Sequence, residues 1–299
     1  MRAAESNNLP AFSAPDDGVL DDAMRAAFDT AGVVVLRGFA EPDACEKLRA
    51  HTLSLVDAFE PGEAATVFST LTNAQQSDEY FIESGGAVRF FFEDGAFDEA
   101  GRLKQAKENS INKIGHAMHD LDPVFDAFSR TPKLQKLVAS LGFADPKLVQ
   151  SMYIFKPPGI GGEVVCHQDS TFIYTEPESC IGLWFAIDDA TTVNGCMNFL
   201  PGAHKGPLRE RNRRKAGGGA EMITLDDAPF PDIAPVPAPA KRGDLVVFHG
   251  RAPHMSGPNR SQFSRHAYTL HIVEGSARWL EDNWLQRPSD LPFRGFSRM

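Results

Sequence analysis

Apolar and polar residues follow different patterns in the two halves of the chain. From Leu148 onward, apolar residues occur in short runs rich in β-branched and aromatic side chains, separated by turn residues at irregular spacing. These runs cover residues 148–155, 162–170, 181–187, 196–200, 244–249 and 268–273. The pattern predicts a mainly β protein with flanking helices, built on a double-stranded β-helix core of the jelly-roll or cupin-like kind.

The residues before 148 combine helical spacing with short strands, and we expect them to pack outside the β core. Capping aspartates, a closing glycine and first-turn prolines mark the helix ends. The predicted elements are a helix between Asp21 or Asp22 and Gly32, a strand at 33–36, a helix from Pro42, strands at 80–82 and 88–92, and helical segments over 103–141 interrupted at Pro123 and Pro132.

The predicted organisation is a single domain over residues 19–299. It follows a polar lead-in at 1–18, expected to be extended. Within the domain we distinguish a helical support with outer strands (19–147), the jelly-roll core (148–275) and a C-terminal tail (276–299).

One long insertion, residues 205–240, interrupts the β pattern. It contains the basic run Arg209–Lys215, three consecutive glycines and six prolines. The run could be an ordinary solvated surface, or the insertion could be a lid that meets an anionic substrate, since long loops in compact domains are often functional. Its composition leaves little apolar surface to bury, so we expect it to be mobile without substrate.

Composition narrows the class of protein. The chain has 299 residues, 42% of them hydrophobic, with a formal net charge of −10, which disfavours nucleic acid and anionic membranes as partners. No apolar stretch resembles a signal peptide or membrane span, which predicts a cytoplasmic location. The four cysteines form no CxxC motif, so they predict neither a zinc site nor a disulfide scaffold.

Candidate chemistry begins at His167 and Asp169. Residues i and i+2 of a strand share a face, so this imidazole and carboxylate could reach one point. A third ligand would complete the two-histidine, one-carboxylate set that holds Fe(II), and His254 follows an apolar strand and a Gly/Pro turn. Arg265, eleven residues later, could pair with a carboxylate of a dicarboxylic co-substrate.

Several blocks of this sequence resemble the phytanoyl-CoA dioxygenase (PhyH) family of Fe(II)- and 2-oxoglutarate-dependent oxygenases. The blocks are 110–116, 151–156, 167–177, 194–204 and 254–265. One departure is Cys166, where relatives often have proline before the first ligand.

The resemblance implies Fe(II) as cofactor and 2-oxoglutarate and O2 as co-substrates, with hydroxylation of a small-molecule metabolite and release of succinate and CO2. His167, Asp169 and His254 would bind the metal. Arg265 and Ser256 would bind the distal carboxylate of 2-oxoglutarate, and the remaining co-substrate positions implied are Lys113, Met152, Gln168 and Trp184. Because Asp169 keeps the carboxylate that related halogenases lack, hydroxylation is favoured.

Two other classes stay open from the residues alone. A cupin-like metal-binding protein or non-oxidative metalloenzyme would need the three ligands but not Arg265, and a catalytically silent relative would not need intact ligands. We expect structural or surface roles for five other histidines: His116, His119, His204, His266 and His271. His249 lies five residues before His254 and could be mistaken for the ligand, but it ends an apolar strand and the resemblance favours His254. His271 merits inspection because it lies on the strand after Arg265.

Overall fold

The structure, a computed structural model, describes residues 8–61, 66–69 and 78–297. Its helices are α1 Asp22–Ala31, α2 Pro42–Ala58, α3 Glu79–Ile82, α4 Met118–Leu121, α5 Pro123–Ser129 and α6 Pro132–Ser140. Its strands are β1 Ala11–Ser13, β2 Val33–Arg37, β3 Val67–Phe68, β4 Val88–Glu93, β5 Ile111–His116, β6 Pro146–Ile154, β7 Val164–His167, β8 Thr175–Glu176, β9 Ile181–Ala186, β10 Met197–Phe199, β11 Glu210–Arg214, β12 Ala220–Thr224, β13 Val236–Ala238, β14 Leu245–His249, β15 His254–Ser256, β16 Ala267–Glu274 and β17 Arg278–Trp279. Across these ranges no helix combines the length and apolar character that crossing a bilayer requires.

Two sheets form the core. The larger has nine strands in the order β1-β2-β14-β9-β16-β6-β5-β4-β3, and the smaller has four in the order β13-β10-β15-β7. Trp184 and Phe248 of the large sheet share an apolar cluster with Phe199 of the small one, so the two sheets pack face to face. The predicted mainly β fold with a jelly-roll core is confirmed.

The central strands of the large sheet are buried on both faces. In β9, Leu183 and Phe185 belong to the cluster on the helix side, where Phe128 of α5 packs on Phe185 with ring centroids 5.1 Å apart. Trp184 and Ala186 face the small sheet instead. This two-sided burial explains why the strand reads as a continuous apolar run rather than an alternating one.

The helix ends follow the predicted signals. The Asp21 side chain accepts a hydrogen bond from the Met24 amide at the start of α1, and Gly32 ends that helix with a φ of 76°. That φ suits glycine, which has no Cβ to clash in the left-handed region. Pro42 occupies the first turn of α2.

Two predicted elements are wrong. Residues 111–116 form β5 between β4 and β6 instead of continuing a helix. Ile111 and Ile114 are three residues apart and both buried, so a strand covered on two faces imitated helical spacing. Residues 80–82, predicted as a strand, belong to α3, which Asp78 caps through the Tyr80 amide.

The insertion at 205–240 is more ordered than a plain loop. It contains the hairpin of β11 and β12, and β13, which joins the small sheet beside β10. The arginines of the basic run form ion pairs: Arg209 with Asp226, Arg211 with Asp282, Arg213 with Glu221 and Arg214 with Glu83.

The two ends of the chain also add strands. Within the predicted extended lead-in, β1 pairs in parallel with β2 at the edge of the large sheet. In the predicted tail, β17 pairs with β8. Residues 1–7 of the lead-in and 298–299 of the tail lie outside the described residues.

Candidate metal centre and co-substrate pocket

Three ligand-type side chains meet where β7 and β15 pair. His254 lies opposite His167 in this antiparallel pair. Asp169 lies just beyond the end of β7, in a short 3-10 turn at 169–171 rather than in the strand we expected. One ligand atom from each residue lies within 4.8 Å of the others. Asp169 Oδ1 is 3.4 Å from His167 Nε2 and 3.6 Å from His254 Nε2.

Backbone carbonyls orient both histidines. Nδ1 of His167 donates to the Val165 carbonyl at 2.8 Å, and Nδ1 of His254 donates to the Ala252 carbonyl at 3.0 Å. With the proton held on Nδ1, each ring presents the lone pair of Nε2 toward Asp169. This is the tautomer a metal ligand requires.

The charges of the three groups also suit a divalent cation. Burial would raise the pKa of Asp169, but His271, His254 and His167 outweigh it and hold this pKa well below its ordinary value. Burial, followed by the neighbouring His167, lowers the pKa of His254 to about 4. Burial opposes protonation of His167 as well, yet the neighbouring carboxylate of Asp169 raises the pKa of His167 overall. An ionised carboxylate beside imidazoles is a donor set that Fe(II) accepts.

His271 contacts the carboxylate of Asp169, the candidate metal ligand, a role that was not predicted from the sequence. Its Nε2 lies 2.7 Å from Asp169 Oδ2, while Oδ1 faces the two ligand histidines. His271 belongs to β16, and its side chain is buried. The period-two spacing from Arg265 through Ala267 and Thr269 to His271 was the available signal, since it puts alternate residues of β16 on one face.

Residues implied by the resemblance line one face of the large sheet. Met152 of β6 pairs with Thr269 of β16, and Thr269 pairs in turn with Trp184 of β9. Gly115 of β5 lies opposite Met152 of β6. Lys113 is two residues before Gly115 in the same strand, so it lies next to this row and on the same face. By strand alternation, these side chains share the face that carries His271.

Lys113 is buried. From the sequence alone, a lysine at this position would be expected to be exposed. Its Nζ lies 3.2 Å from the centroid of the Phe68 ring. Burial lowers the pKa of Lys113 to about 7. An ammonium held against aromatic rings on this face could serve an anionic ligand.

Arg265 is the clearest indication of a bound anion. Its side chain is 3% exposed and its guanidinium lies 5.3 Å from the Trp184 ring centroid. Within the described part of the chain, its Nε and Nη1 have no hydrogen-bond partner. Burial lowers the pKa of Arg265 to about 10, so the group is still charged at neutral pH. A buried unpaired cation is costly, which indicates that a ligand carboxylate completes it.

Ser256 and Gln168 differ in what their side chains contact. Ser256 follows His254 by two residues in β15 and is buried, and its Oγ accepts a hydrogen bond from Lys156. The Gln168 amide instead bonds to backbone: Nε2 donates to the carbonyls of Pro207 and Arg251, and Oε1 accepts from the Arg209 amide. Gln168 thereby joins the ligand turn to the start of the insertion.

A jelly-roll core that brings two histidines and one carboxylate to a single point has the arrangement of the facial-triad class of mononuclear metalloproteins. Comparison with known proteins agrees. Residues 28–267 match the family model described as phytanoyl-CoA dioxygenase (PhyH). The chain is 47% identical over 277 residues to phytanoyl-CoA dioxygenase 1 of Oryza sativa subsp. japonica, covering 91% of this chain and 96% of that protein. The chain belongs to the phytanoyl-CoA dioxygenase (PhyH) family, as its motifs predicted.

Two further similarities extend this result. The chain is 44% identical over 275 residues to phytanoyl-CoA dioxygenase domain-containing protein 1 of Bos taurus, covering 89% of this chain and 94% of that protein. Among solved structures, the epimerase SnoN in complex with Fe3+, alpha ketoglutarate and nogalamycin RO superposes with a TM-score of 0.59 at 16% identity, covering 89% of this chain and 86% of SnoN. At that identity SnoN supports the shared fold.

Proposed function

We propose that this protein is an Fe(II)- and 2-oxoglutarate-dependent dioxygenase that hydroxylates a small-molecule metabolite, with release of succinate and CO2. The observation that carries the proposal is the buried guanidinium of Arg265, unpaired at Nε and Nη1 among the described residues, on a protein that also has the three-ligand set. A cupin-like metal-binding protein would need the ligands, but it would gain nothing from a buried cation that lacks a partner.

His167, Asp169 and His254 would hold Fe(II) on three positions and leave three open for a chelating 2-oxo acid and O2. When bound, Fe(II) and 2-oxoglutarate supply the oxidising chemistry: O2 and 2-oxoglutarate are consumed, one oxygen atom enters a C–H bond of the substrate and the other enters succinate. Asp169 would supply a carboxylate ligand to the metal and leave no position for a halide, which favours hydroxylation.

The chain's own residues would bind the co-substrate and exclude water. Arg265 offers a planar fork to the distal carboxylate, and the Ser256 hydroxyl can donate to it. Trp184 and Met152 supply apolar surface on the sheet face beside these groups. Such shielding strengthens the charge-assisted hydrogen bonds, because the local dielectric constant is lower than that of water.

A small-molecule substrate fits a protein whose net charge is −10, which repels nucleic acid. We further propose that the insertion at 205–240 acts as a lid over the active site and contacts an anionic substrate. Support comes from Gln168, which lies between two metal ligands in the chain and is hydrogen-bonded to Pro207 and Arg209, so the insertion begins beside the centre.

The test is succinate formation by the purified protein with Fe(II), ascorbate, O2 and 2-oxoglutarate, in the presence of a library of small metabolites. We expect 2-oxoglutarate turnover that a subset of metabolites stimulates and that Asp169→Ala abolishes. An Asp43→Ala variant, altered at an exposed position in the first turn of α2, is the matched control and should match the wild type. A protein that binds the metal yet forms no succinate under any condition would favour the non-oxidative alternative.

A further inference from the structure

A second buried cation lies beside Arg265. Lys156, which follows β6, is 3% exposed. Its Nζ donates to Ser256 Oγ at 3.0 Å and to the Gly162 carbonyl at 2.6 Å. Its own carbonyl accepts from the Arg265 amide at 3.2 Å, which holds the two residues next to each other. Lys156 ends the block 151–156 that resembles the family, but it is not among the predicted metal ligands or the co-substrate positions that the resemblance implies.

We infer that Lys156 binds the distal carboxylate of 2-oxoglutarate together with Arg265 and Ser256, and that it contributes to the preference for a dicarboxylic over a monocarboxylic 2-oxo acid. This inference rests on the proposed function and names a further binding residue in the same site.

The hydrogen-bond capacity of these three side chains points to an anion. An ammonium has three N–H donors, and two of those on Lys156 go to the neutral oxygens of Gly162 and Ser256. Because Ser256 Oγ accepts from Lys156, its own O–H is available to donate. Arg265 adds Nε and Nη1, which have no partner in the described ranges. The unused capacity is therefore on the donor side, which is what a carboxylate needs.

The charges lead to the same conclusion. Burial, and next the charge of Arg265, lowers the pKa of Lys156 to about 7, although the nearby carboxylates of Glu93 and Glu163 act in the opposite direction. Like charges in a desolvated site are unfavourable unless an anion lies between or beside them. The acidic neighbours, Glu93 and Glu163 at Lys156 and Asp188 at Arg265, do not outweigh burial, since both pKa values remain lowered. The distal carboxylate of a dicarboxylate would add a counter-charge to both cations, which a 2-oxo acid without a second carboxylate would not.

The position of Lys156 is tightly defined. A Cβ on Gly195 would lie 2.3 Å from Lys156 Cε, so the chain at 195 is shaped around the lysine stem. Gly195 itself has a φ of 82°, and Asn259 Nδ2 donates to the Lys156 carbonyl at 2.8 Å. These contacts fix the ammonium, so that a carboxylate would meet it without much reordering of the side chain.

Calorimetric titration of the full-length protein, loaded with Mn(II) in place of Fe(II) to avoid turnover, tests this directly. The two ligands are 2-oxoglutarate and 2-oxopentanoate, which share the chelating end and differ in the distal carboxylate. We expect Lys156→Met to weaken 2-oxoglutarate binding about ten- to a hundred-fold, as expected for a lost charge-assisted hydrogen bond, with 2-oxopentanoate binding unchanged. Lys136→Met, which changes an exposed lysine of α6, is the matched control and should alter neither affinity.

Each other outcome has a distinct meaning. If Lys156→Met binds 2-oxoglutarate as tightly as the wild type does, the inference is overturned and the proposed function stands. Equal losses for both 2-oxo acids would mean that Lys156 supports the fold of the pocket, which also overturns it. If the wild type binds neither acid, or both equally, the proposed function fails and the inference fails with it. Lys156→Gln, which keeps donors but no charge, gives the same comparison if the methionine variant does not fold.

Discussion

Replacing His271 with leucine should weaken metal binding even though His271 is not a ligand. In the wild type, its Nε2 holds Asp169 Oδ2 at 2.7 Å and leaves Oδ1 directed at the two ligand histidines. Leucine has a similar size but no donor. The carboxylate would then be free to rotate, and Oδ1 would no longer be held toward His167 and His254.

The size of the effect follows from the contact. The His271 and Asp169 side chains are 4% and 10% exposed, so solvent screens this charge-assisted hydrogen bond little. Such a bond contributes about 1.5 to 3 kcal/mol, and loss of a residue that orients a metal ligand typically lowers metal affinity about ten- to a hundred-fold. His271→Gln keeps an N–H donor and should recover part of the loss.

Metal affinity can be measured by competition with a fluorescent chelator, independently of catalysis. The control is His51→Leu, which removes another His–Asp contact of 2.7 Å, between His51 of α2 and Asp122, away from the metal ligands. It should leave the dissociation constant of the metal unchanged. An unchanged constant in His271→Leu as well would refute the orienting role of His271.

Three further predictions concern the co-substrate and the insertion. Arg265→Ala should raise the dissociation constant of 2-oxoglutarate about ten- to a hundred-fold in calorimetric titrations while metal affinity stays constant, and Arg265→Lys should recover only part because it loses the planar fork; an unchanged constant in Arg265→Ala would remove Arg265 from the site. Binding of 2-oxoglutarate should weaken as pH rises through about 7, because the pKa values of Lys156 and Lys113 are both lowered to about 7, so that each charge is present below that pH and lost above it; titrations from pH 6 to 9 should give a flatter profile for Lys156→Met, with the remaining slope due to Lys113. Amide hydrogen exchange without substrate should be faster at residues 225–235, which contain no strand or helix, than in β11 and β12, and equal protection of the two regions would contradict a mobile insertion.

The fold could be predicted where burial follows a regular period. The short apolar runs after Leu148 match β6, β9, β14 and β16, because strands covered on both faces carry uninterrupted β-branched and aromatic residues. The same two-sided burial is the reason that the helix predicted at β5 is wrong. There Ile111 and Ile114 satisfied a helical spacing that only pairing with β4 and β6 overrides.

The site was predictable only where residues lie close in sequence or match a motif. His167 and Asp169 are two residues apart, whereas His271 reaches Asp169 through strand pairing, across a sequence separation of 102 residues. Lys156 was missed because a lysine is expected at the surface, and nothing local indicates its burial beside Arg265. The His271–Asp169 contact and the burial of Lys156 beside Arg265 both depend on the tertiary structure, because each brings together residues that are distant in sequence.

The way in which the insertion is fastened has a consequence for engineering this protein. Gln168 holds the chain at Pro207 and Arg209, and β13 holds it again by pairing with β10 in the small sheet. The first part of the segment between these two points is held as well, because Arg211 pairs with Asp282 and Arg214 with Glu83. Residues 227–235, which contain no strand or helix, can be redesigned in length and side chains while His167, Asp169 and His254 keep their positions. Libraries aimed at a new substrate range can therefore be confined to that segment.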